Sequence, residues 1–262
     1  MFIPYKKIAL FLLIVFAFSG CLTAEKPAEV KKVTLPPLRV GVTPNYPPMI
    51  FKLGDKVSGV EAEMAQKLGG SLGRPVEFVE VRWDEQIPSL IAGKIDIIMS
   101  GMTATEARKV RIDFTEPYMK SGLYTAMRTE NVSKYDSLDR IKQSYATVGV
   151  MEGTTGDVFV QKNFPNAQRV AFSNLNSAAF ALKRRSIDIF VHDGPAIAWL
   201  VSENEADLKG FWQPLNEEYL AWGISRSNQD LLLQVNALLR TWKTDGTLNQ
   251  VLLKWLPYLR SR

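Results

Sequence analysis

From about residue 38 onward, short apolar runs alternate with stretches whose apolar positions recur at helical spacing. Leu38 to Val42 reads as a strand, and Val60, Met64, Leu68 and Leu72, four residues apart, form one face of a helix. Val76 to Val81 reads as the next strand and Ile87 to Ala92 as a helix ended by Gly93. The unbroken apolar run Ile95 to Met99 suits a strand of a buried parallel sheet. Strands alternating with helices predict an α/β fold.

The same grammar then returns. Val40-Gly41-Val42 is echoed by Val148-Gly149-Val150, and Ile95-Asp96-Ile97 by Ile187-Asp188-Ile189, in the same order. Two ordered echoes imply two lobes of similar build. In open parallel sheets, ligands bind beyond the carboxyl ends of the strands. Those ends are Thr43 and Ser100-Gly101 in the first lobe, and Met151 and His192-Asp193 in the second. If the lobes face each other, these positions share one cleft. Ala221 to Ile224 reads as a further strand, followed by amphipathic helices at Gln229 to Trp242 and Thr247 to Trp255. If that strand rejoins the first lobe, the chain crosses between lobes twice, making a two-strand hinge that permits opening and closing.

Composition narrows the classes. With 46% hydrophobic and 23% charged residues, the 262-residue chain is globular rather than disordered. The formal charge of +5 falls to +3 without Lys6 and Lys7, and acidic and basic residues are interspersed, which gives nucleic-acid binding little support. One cysteine and one histidine leave no intramolecular disulfide and argue against a thiolate or histidine metal site. No phosphate loop or catalytic nucleophile arrangement is found, and no cofactor is expected.

The cysteine is informative by position. Lys6-Lys7, an apolar run from Ile8 to Phe18, and Ser19-Gly20 before Cys21 predict a secretory signal peptide. Ser-Gly-Cys resembles a bacterial lipobox, with Phe18 in place of the usual leucine; a plain signal peptide cut near Ala24 is the alternative. Thr23 to Pro37, with its lysines, glutamates and prolines, reads as a tether.

The residues Trp83-Asp84-x-x-Ile87-Pro88-x-Leu90-x-Ala92-Gly93-Lys94-x-Asp96 are followed by Ser100-Gly101-Met102-Thr103-x-Thr105-x-x-Arg108 and Asp113-Phe114-Thr115-x-Pro117-Tyr118. This run resembles the family 3 bacterial extracellular solute-binding proteins, the polar amino acid receptors of ABC importers, from about Leu38 to the C-terminus. The resemblance implies a type II periplasmic-binding-protein fold, each lobe a mostly parallel sheet flanked by helices. Lobe 1 would comprise 38–117 and 223–262 and lobe 2 122–218, with hinge strands near 118–121 and 219–222, after a signal peptide (1–20) and a lipidated tether (21–37).

The resemblance also assigns roles. Arg108 would grip the ligand α-carboxylate, its planar fork matching a carboxylate in bidentate fashion; otherwise it is a solvated charge among Glu106, Lys109 and Arg111. Thr103 and the backbone near Ser100 and Gly101 would complete the carboxylate cradle, with Thr155 of Gly153-Thr154-Thr155 donating from the second lobe. Asp193 would pair with the α-ammonium, although its place before Gly194-Pro195 also suits a helix cap. Tyr46 and Phe51 match positions that wall the ligand, Trp83 reads as packing, and His192 is placed to meet a ligand side chain or to act as a buried spacer.

Several positions depart from the family pattern. Thr43 stands where many members carry an acid, Val60 where a phenylalanine is frequent, and Met151 where some place a polar group. A cleft lined by these favours a neutral or polar amino acid over a basic one. The chain is thus expected to be a non-catalytic, exported, lipid-anchored receptor whose closed form docks on an ABC permease in the cytoplasmic membrane. The alternative is a periplasmic cyclohexadienyl or arogenate dehydratase on the same fold, with Glu152, Asp193 or His192 as general acid. A sensory module is the third possibility; because the chain stops at Arg262, a fused output domain is not expected.

Overall fold

The echoed tripeptides are one structural device built twice. The computed structural model describes residues 35–261, so the expected signal peptide, Cys21 and most of the tether lie outside the described residues. The chain runs through β1 (Leu38–Val42), β2 (Asn45–Tyr46), β3 (Ile50–Leu53), β4 (Lys56–Ser58), α1 (Val60–Leu72), β5 (Val76–Glu80), α2 (Gln86–Ile91), β6 (Ile97–Ile98), α3 (Glu106–Lys109) and β7 (Asp113–Phe114). Next come β8 (Met119–Ser121), β9 (Leu123–Arg128), α4 (Leu138–Lys142), β10 (Thr147–Met151), α5 (Thr155–Asn163), β11 (Gln168–Phe172), α6 (Leu175–Lys183), β12 (Ile189–Asp193), α7 (Gly194–Ser202) and β13 (Leu208–Phe211). The last segment is β14 (Glu218–Leu220), β15 (Gly223–Ile224), α8 (Gln229–Thr244) and α9 (Thr247–Trp255).

A Cβ on Gly41 would collide with the side chain of Ile95, and one on Gly149 with that of Ile187. The glycine of each Val-Gly-Val therefore makes room for the first isoleucine of the matching Ile-Asp-Ile. The aspartate between the isoleucines fixes the register. Asp96 Oδ2 accepts from Arg39 N–H at 2.9 Å, and Asp188 Oδ2 accepts from Thr147 N–H at 3.0 Å. Each aspartate also pairs with an arginine that closes off carbonyls at the end of the preceding helix. Arg39 reaches Gly93 O beyond α2, and Arg128 reaches Leu182 O at the end of α6. The run Ile95 to Met99 is a strand only at Ile97–Ile98, with Asp96 N–H and Met99 N–H bonded on either side to Arg39 O and Gly41 O of β1.

Two five-stranded sheets result, ordered β5-β1-β6-β15-β7 and β11-β10-β12-β9-β13. In the first, β1 pairs in parallel with β5 and β6, while β15 is antiparallel to β6 and β7. In the second, β10 pairs in parallel with β11 and β12, while β9 is antiparallel to β12 and β13. The sheets are less uniformly parallel than expected because β9 and β15 arrive from the opposite lobe instead of through a helical crossover. Val60, Met64 and Leu68, the predicted apolar face of α1, are fully buried against the first sheet together with Val235 of α8 and Val251 of α9.

The chain passes between sheets twice, through β8 and β14, which pair antiparallel with Met119 opposite Leu220 and Ser121 opposite Glu218. Tyr118 and Trp222, just outside this pair on the first-lobe side, stack at 5.4 Å between ring centroids. Both donate to one buried carboxylate, Glu61 of α1, from Tyr118 Oη at 2.6 Å and Trp222 Nε1 at 2.7 Å. Glu61 also accepts from Gly101 N–H at 2.8 Å. Burial outweighs these three donors and pushes its pKa up to about 7.

Candidate functional site

The carboxyl ends of β1, β6, β10 and β12 converge on a cavity of about 450 Å³. Thr43 and Ser100 are joined there, Thr43 N–H donating to Ser100 Oγ at 2.9 Å. Gly101, Thr103, Arg108 and Tyr46 line it from the first lobe, and Met151, Thr155, His192 and Asp193 from the second. Cross-lobe hydrogen bonds close around it. Trp83 Nε1 donates to Gly153 O at 3.0 Å, Asn45 Nδ2 to Ser173 O at 3.0 Å, and Tyr46 Oη to Asp193 Oδ2 at 2.9 Å.

Arg108 is held by a short helix whose first turn is fixed by Thr105, the hydroxyl accepting from Arg108 N–H. Its guanidinium donates to Thr103 O at 3.0 Å and Gly153 O at 3.5 Å, and lies over the Trp83 ring at 5.2 Å. The side chain is half-buried rather than a solvated helix charge. Burial lowers its pKa while Asp193 and Glu218 raise it, and an arginine so far above neutrality stays cationic. Five donors less two leaves the planar fork able to grip a carboxylate.

Asp193 stands at the N-cap position of α7 but makes no capping bond, its carboxylate turning instead to Tyr46. It is buried, and that burial raises its pKa to about 6 against the opposing effects of the Tyr46 bond and Arg108. His192 Nδ1 accepts from Asp193 N–H at 2.7 Å, which places the ring proton on Nε2. Burial lowers its pKa to about 4, so it is neutral near pH 7 and its proximity to Asp193 is not an ion pair. Its ring packs against Tyr46, with centroids 5.0 Å apart.

The expected carboxylate cradle is built differently. Gly101 N–H is engaged by Glu61. The Thr103 hydroxyl donates to Glu218 Oε2 at 2.9 Å and the Thr155 hydroxyl to the same oxygen at 3.0 Å. These three donors are therefore not directed at a ligand carboxylate, although Gly101, Thr103 and Thr155 all line the cavity. Thr154 caps α5 instead, accepting from Asp157 N–H. Sequence reasoning passed over Glu218. The signal available was its phase, since Glu218 and Leu220 are buried while Tyr219 between them is exposed. Burial and the nearby Asp193 carboxylate raise the Glu218 pKa.

Trp83, read as packing, is also a cavity wall and a cross-lobe donor. Phe51 is a correction: it lies outside the cavity, between Trp199 at 5.8 Å and Trp255 at 5.9 Å. In the β2–β3 hairpin Phe51 stands opposite Asn45 and Ile50 opposite Tyr46, and the Phe51 ring is taken up by the two tryptophans. Val60 is likewise core rather than cavity.

Comparison with known proteins places this geometry. Residues 38–258 match the family described as bacterial extracellular solute-binding proteins, family 3. A probable histidine-binding protein of Campylobacter jejuni is 31% identical over 88% of this chain and 89% of its own length. The crystal structure of the ancestral amino acid-binding protein AncCDT-1, a precursor of cyclohexadienyl dehydratase, is 33% identical with a TM-score of 0.78, over 83% of this chain and 94% of that one. A putative ABC transporter binding component from Wolinella succinogenes, complexed with lysine, is 27% identical with a TM-score of 0.80 over the same shares.

Proposed function

We propose a ligand and a mode of action for this chain, which belongs to the family 3 bacterial extracellular solute-binding proteins and is an amino-acid-binding protein rather than an enzyme. It captures a small zwitterionic amino acid with a neutral or polar side chain. The observation that carries this is the pairing in one cavity of a cationic guanidinium, Arg108, from the first lobe with a buried carboxylate, Asp193, from the second. Arg108 takes the α-carboxylate, beside the positive N-terminal end of α5 at Thr154 and Thr155. Asp193 takes the α-ammonium with the oxygen not engaged by Tyr46. Thr43, Met151 and Phe172 give the side-chain region a mixed, largely apolar wall.

Because the two poles sit on different lobes, a zwitterion gains its full set of bonds only when the lobes are together, and binding favours the closed form. The cross-lobe bonds from Trp83, Asn45 and Tyr46 add to that closure. The closed form is then read by an ABC permease, with the protein tethered outside the cytoplasmic membrane through lipidated Cys21.

Glu152 supports a second reading. It lines the cavity in no ion pair among the described residues, whereas Arg82 and Asp84, also on the lining, are paired at 2.6 Å. A basic side chain directed at Glu152 would make the ligand cationic.

Titration calorimetry of the purified protein against the twenty amino acids decides between them. Neutral or polar ligands bind at about micromolar strength in the first reading, near −8 kcal/mol, and lysine, arginine or histidine dominate in the second. Arg108→Ala abolishes binding in either; a variant that keeps wild-type affinity refutes the assignment.

A further inference from the structure

Glu218 is buried on the second hinge strand, its carboxylate next to that of Asp193 and bonded to three other side chains. Oε2 accepts the hydroxyl protons of Thr103, beyond β6 in the first lobe, and of Thr155, at the start of α5 in the second. Oε1 accepts from Asn216 Nδ2 at 3.0 Å, and Asn216 is held in that orientation because its Oδ1 accepts Leu123 N–H at 2.8 Å. A hydroxyl has one proton and two lone pairs. With both protons directed at Glu218, the two threonine oxygens turn lone pairs elsewhere, and both residues line the cavity.

We propose that Glu218 is a positioning residue of the ligand site, one that fixes one hydroxyl from each lobe so that Thr103 and Thr155 meet the ligand ammonium as acceptors. This rests on the receptor reading of the cavity. Asp193 supplies the charge of that ammonium subsite, and the two threonines supply direction, so a zwitterion fits in one orientation only. Since the same carboxylate holds Thr103 and Thr155, the subsite is complete only when both lobes reach the hinge.

The hydrogen-bond pattern requires an acceptor on both oxygens, which only a carboxylate provides. In Glu218→Gln the amide either faces Asn216 Nδ2, donor against donor, or faces the threonines and drives their protons toward the cavity. Pairing it with Asn216→Asp reverses that one bond. The new carboxylate at position 216 accepts from the amide at 218 and from Leu123 N–H, and the amide oxygen again takes both hydroxyl protons. Net charge is unchanged from the wild type.

Wild type, Glu218→Gln and Asn216→Asp/Glu218→Gln are titrated with each of the twenty amino acids and with L-cystine, with a thermal melt of each. On whichever probe binds the wild type, Glu218→Gln loses about tenfold or more in affinity, as removal of bonds to a charged group implies, and the double variant recovers to within about threefold. A single variant as tight as wild type overturns the role, as does a folded double variant no tighter than the single. If Glu218→Gln does not fold, the double variant alone decides by the same criterion. If neither folds, Thr155→Val decides: tenfold weakening supports the role and unchanged affinity overturns it. A wild type silent to every probe sinks the receptor reading and this role with it, whereas binding with an indifferent Glu218→Gln sinks this role alone.

Discussion

Binding should weaken in acid with a midpoint set by Asp193. Its carboxyl titrates near pH 6, because burial disfavours the charged form more than Tyr46 and Arg108 favour it. An amino acid ammonium needs the ionised form. At pH 7.5 nearly every molecule is competent, whereas at pH 5 only about one in ten is, so the apparent affinity falls about tenfold over that range. The other groups facing Asp193 do not produce this slope. Tyr46 titrates far above the range, Arg108 stays charged throughout, and His192 gains its proton only near pH 4. Glu218, also raised and close to Asp193, is the one coupled group, and comparison with Asp193→Asn separates the two. Asp193→Asn should cost about 10- to 150-fold at pH 7.5, the range expected for a hydrogen bond to a charge, and its affinity should be far flatter with pH. Because the ligand favours the ionised form, binding near pH 6 must also expel a proton, seen by calorimetry as a heat that changes with the ionisation enthalpy of the buffer. Wild-type affinity that is flat from pH 5 to 7.5, or an Asp193→Asn variant that keeps both affinity and slope, would refute the reasoning.

Two predictions concern the scaffold. Gly41→Ala drives a methyl into Ile95 Cδ1 and should destabilise by about 1–3 kcal/mol; Ile95→Val removes that atom, so the pair should be less destabilised than the sum of the singles in urea unfolding, and strict additivity would refute the lock between the echoed motifs. Glu61 has a folded pKa near 7 against an ordinary 4.5, so below pH 4.5 it is neutral in both states, and above that the unfolded chain ionises first. Stability should therefore decline by roughly 3 kcal/mol between pH 4.5 and 7 and level off above, measured as the difference in urea midpoint between wild type and Glu61→Gln; a difference that does not vary with pH would refute it.

Sequence carried the architecture well where side chains follow a period or a steric rule. The apolar face of α1, the helices α8 and α9 and the return of β15 to the first sheet were all legible, and the two echoes marked the two lobes because each glycine and aspartate does the same mechanical task twice. Strand ends, in turn, pointed to the cavity, since the carboxyl ends of parallel strands converge there by topology. What stayed hidden were partners brought together by distant parts of the chain. Glu218 lies 115 residues from Thr103, and nothing local distinguishes it from its exposed neighbour Glu217 except phase. Phe51 misled for the converse reason: it follows the cavity residue Tyr46 closely, but the hairpin between them turns it to other aromatic partners.

Glu61 has a mechanical consequence. Tyr118 and Trp222 mark the two points where the chain leaves the first lobe, and a single carboxylate fastens both of them to α1 and to the Gly101 loop. Glu218, opposite Ser121, fastens the far end of the same strand pair to Thr155 of the second lobe. The strand pair between them is three residue pairs, a span of about 10 Å, with a carboxylate at each end bonded to cavity-lining residues, Gly101 at one and Thr103 and Thr155 at the other. β14 is also bonded along its length to first-lobe residues, Ala104 N–H donating to Tyr219 O and Ala221 N–H to Met102 O, so twist in this strand pair and the posture of the Gly101–Thr103 loop become one coordinate. A probe attached at exposed Lys120, remote from the ligand, would then register occupancy of the cavity as directly as one placed inside it.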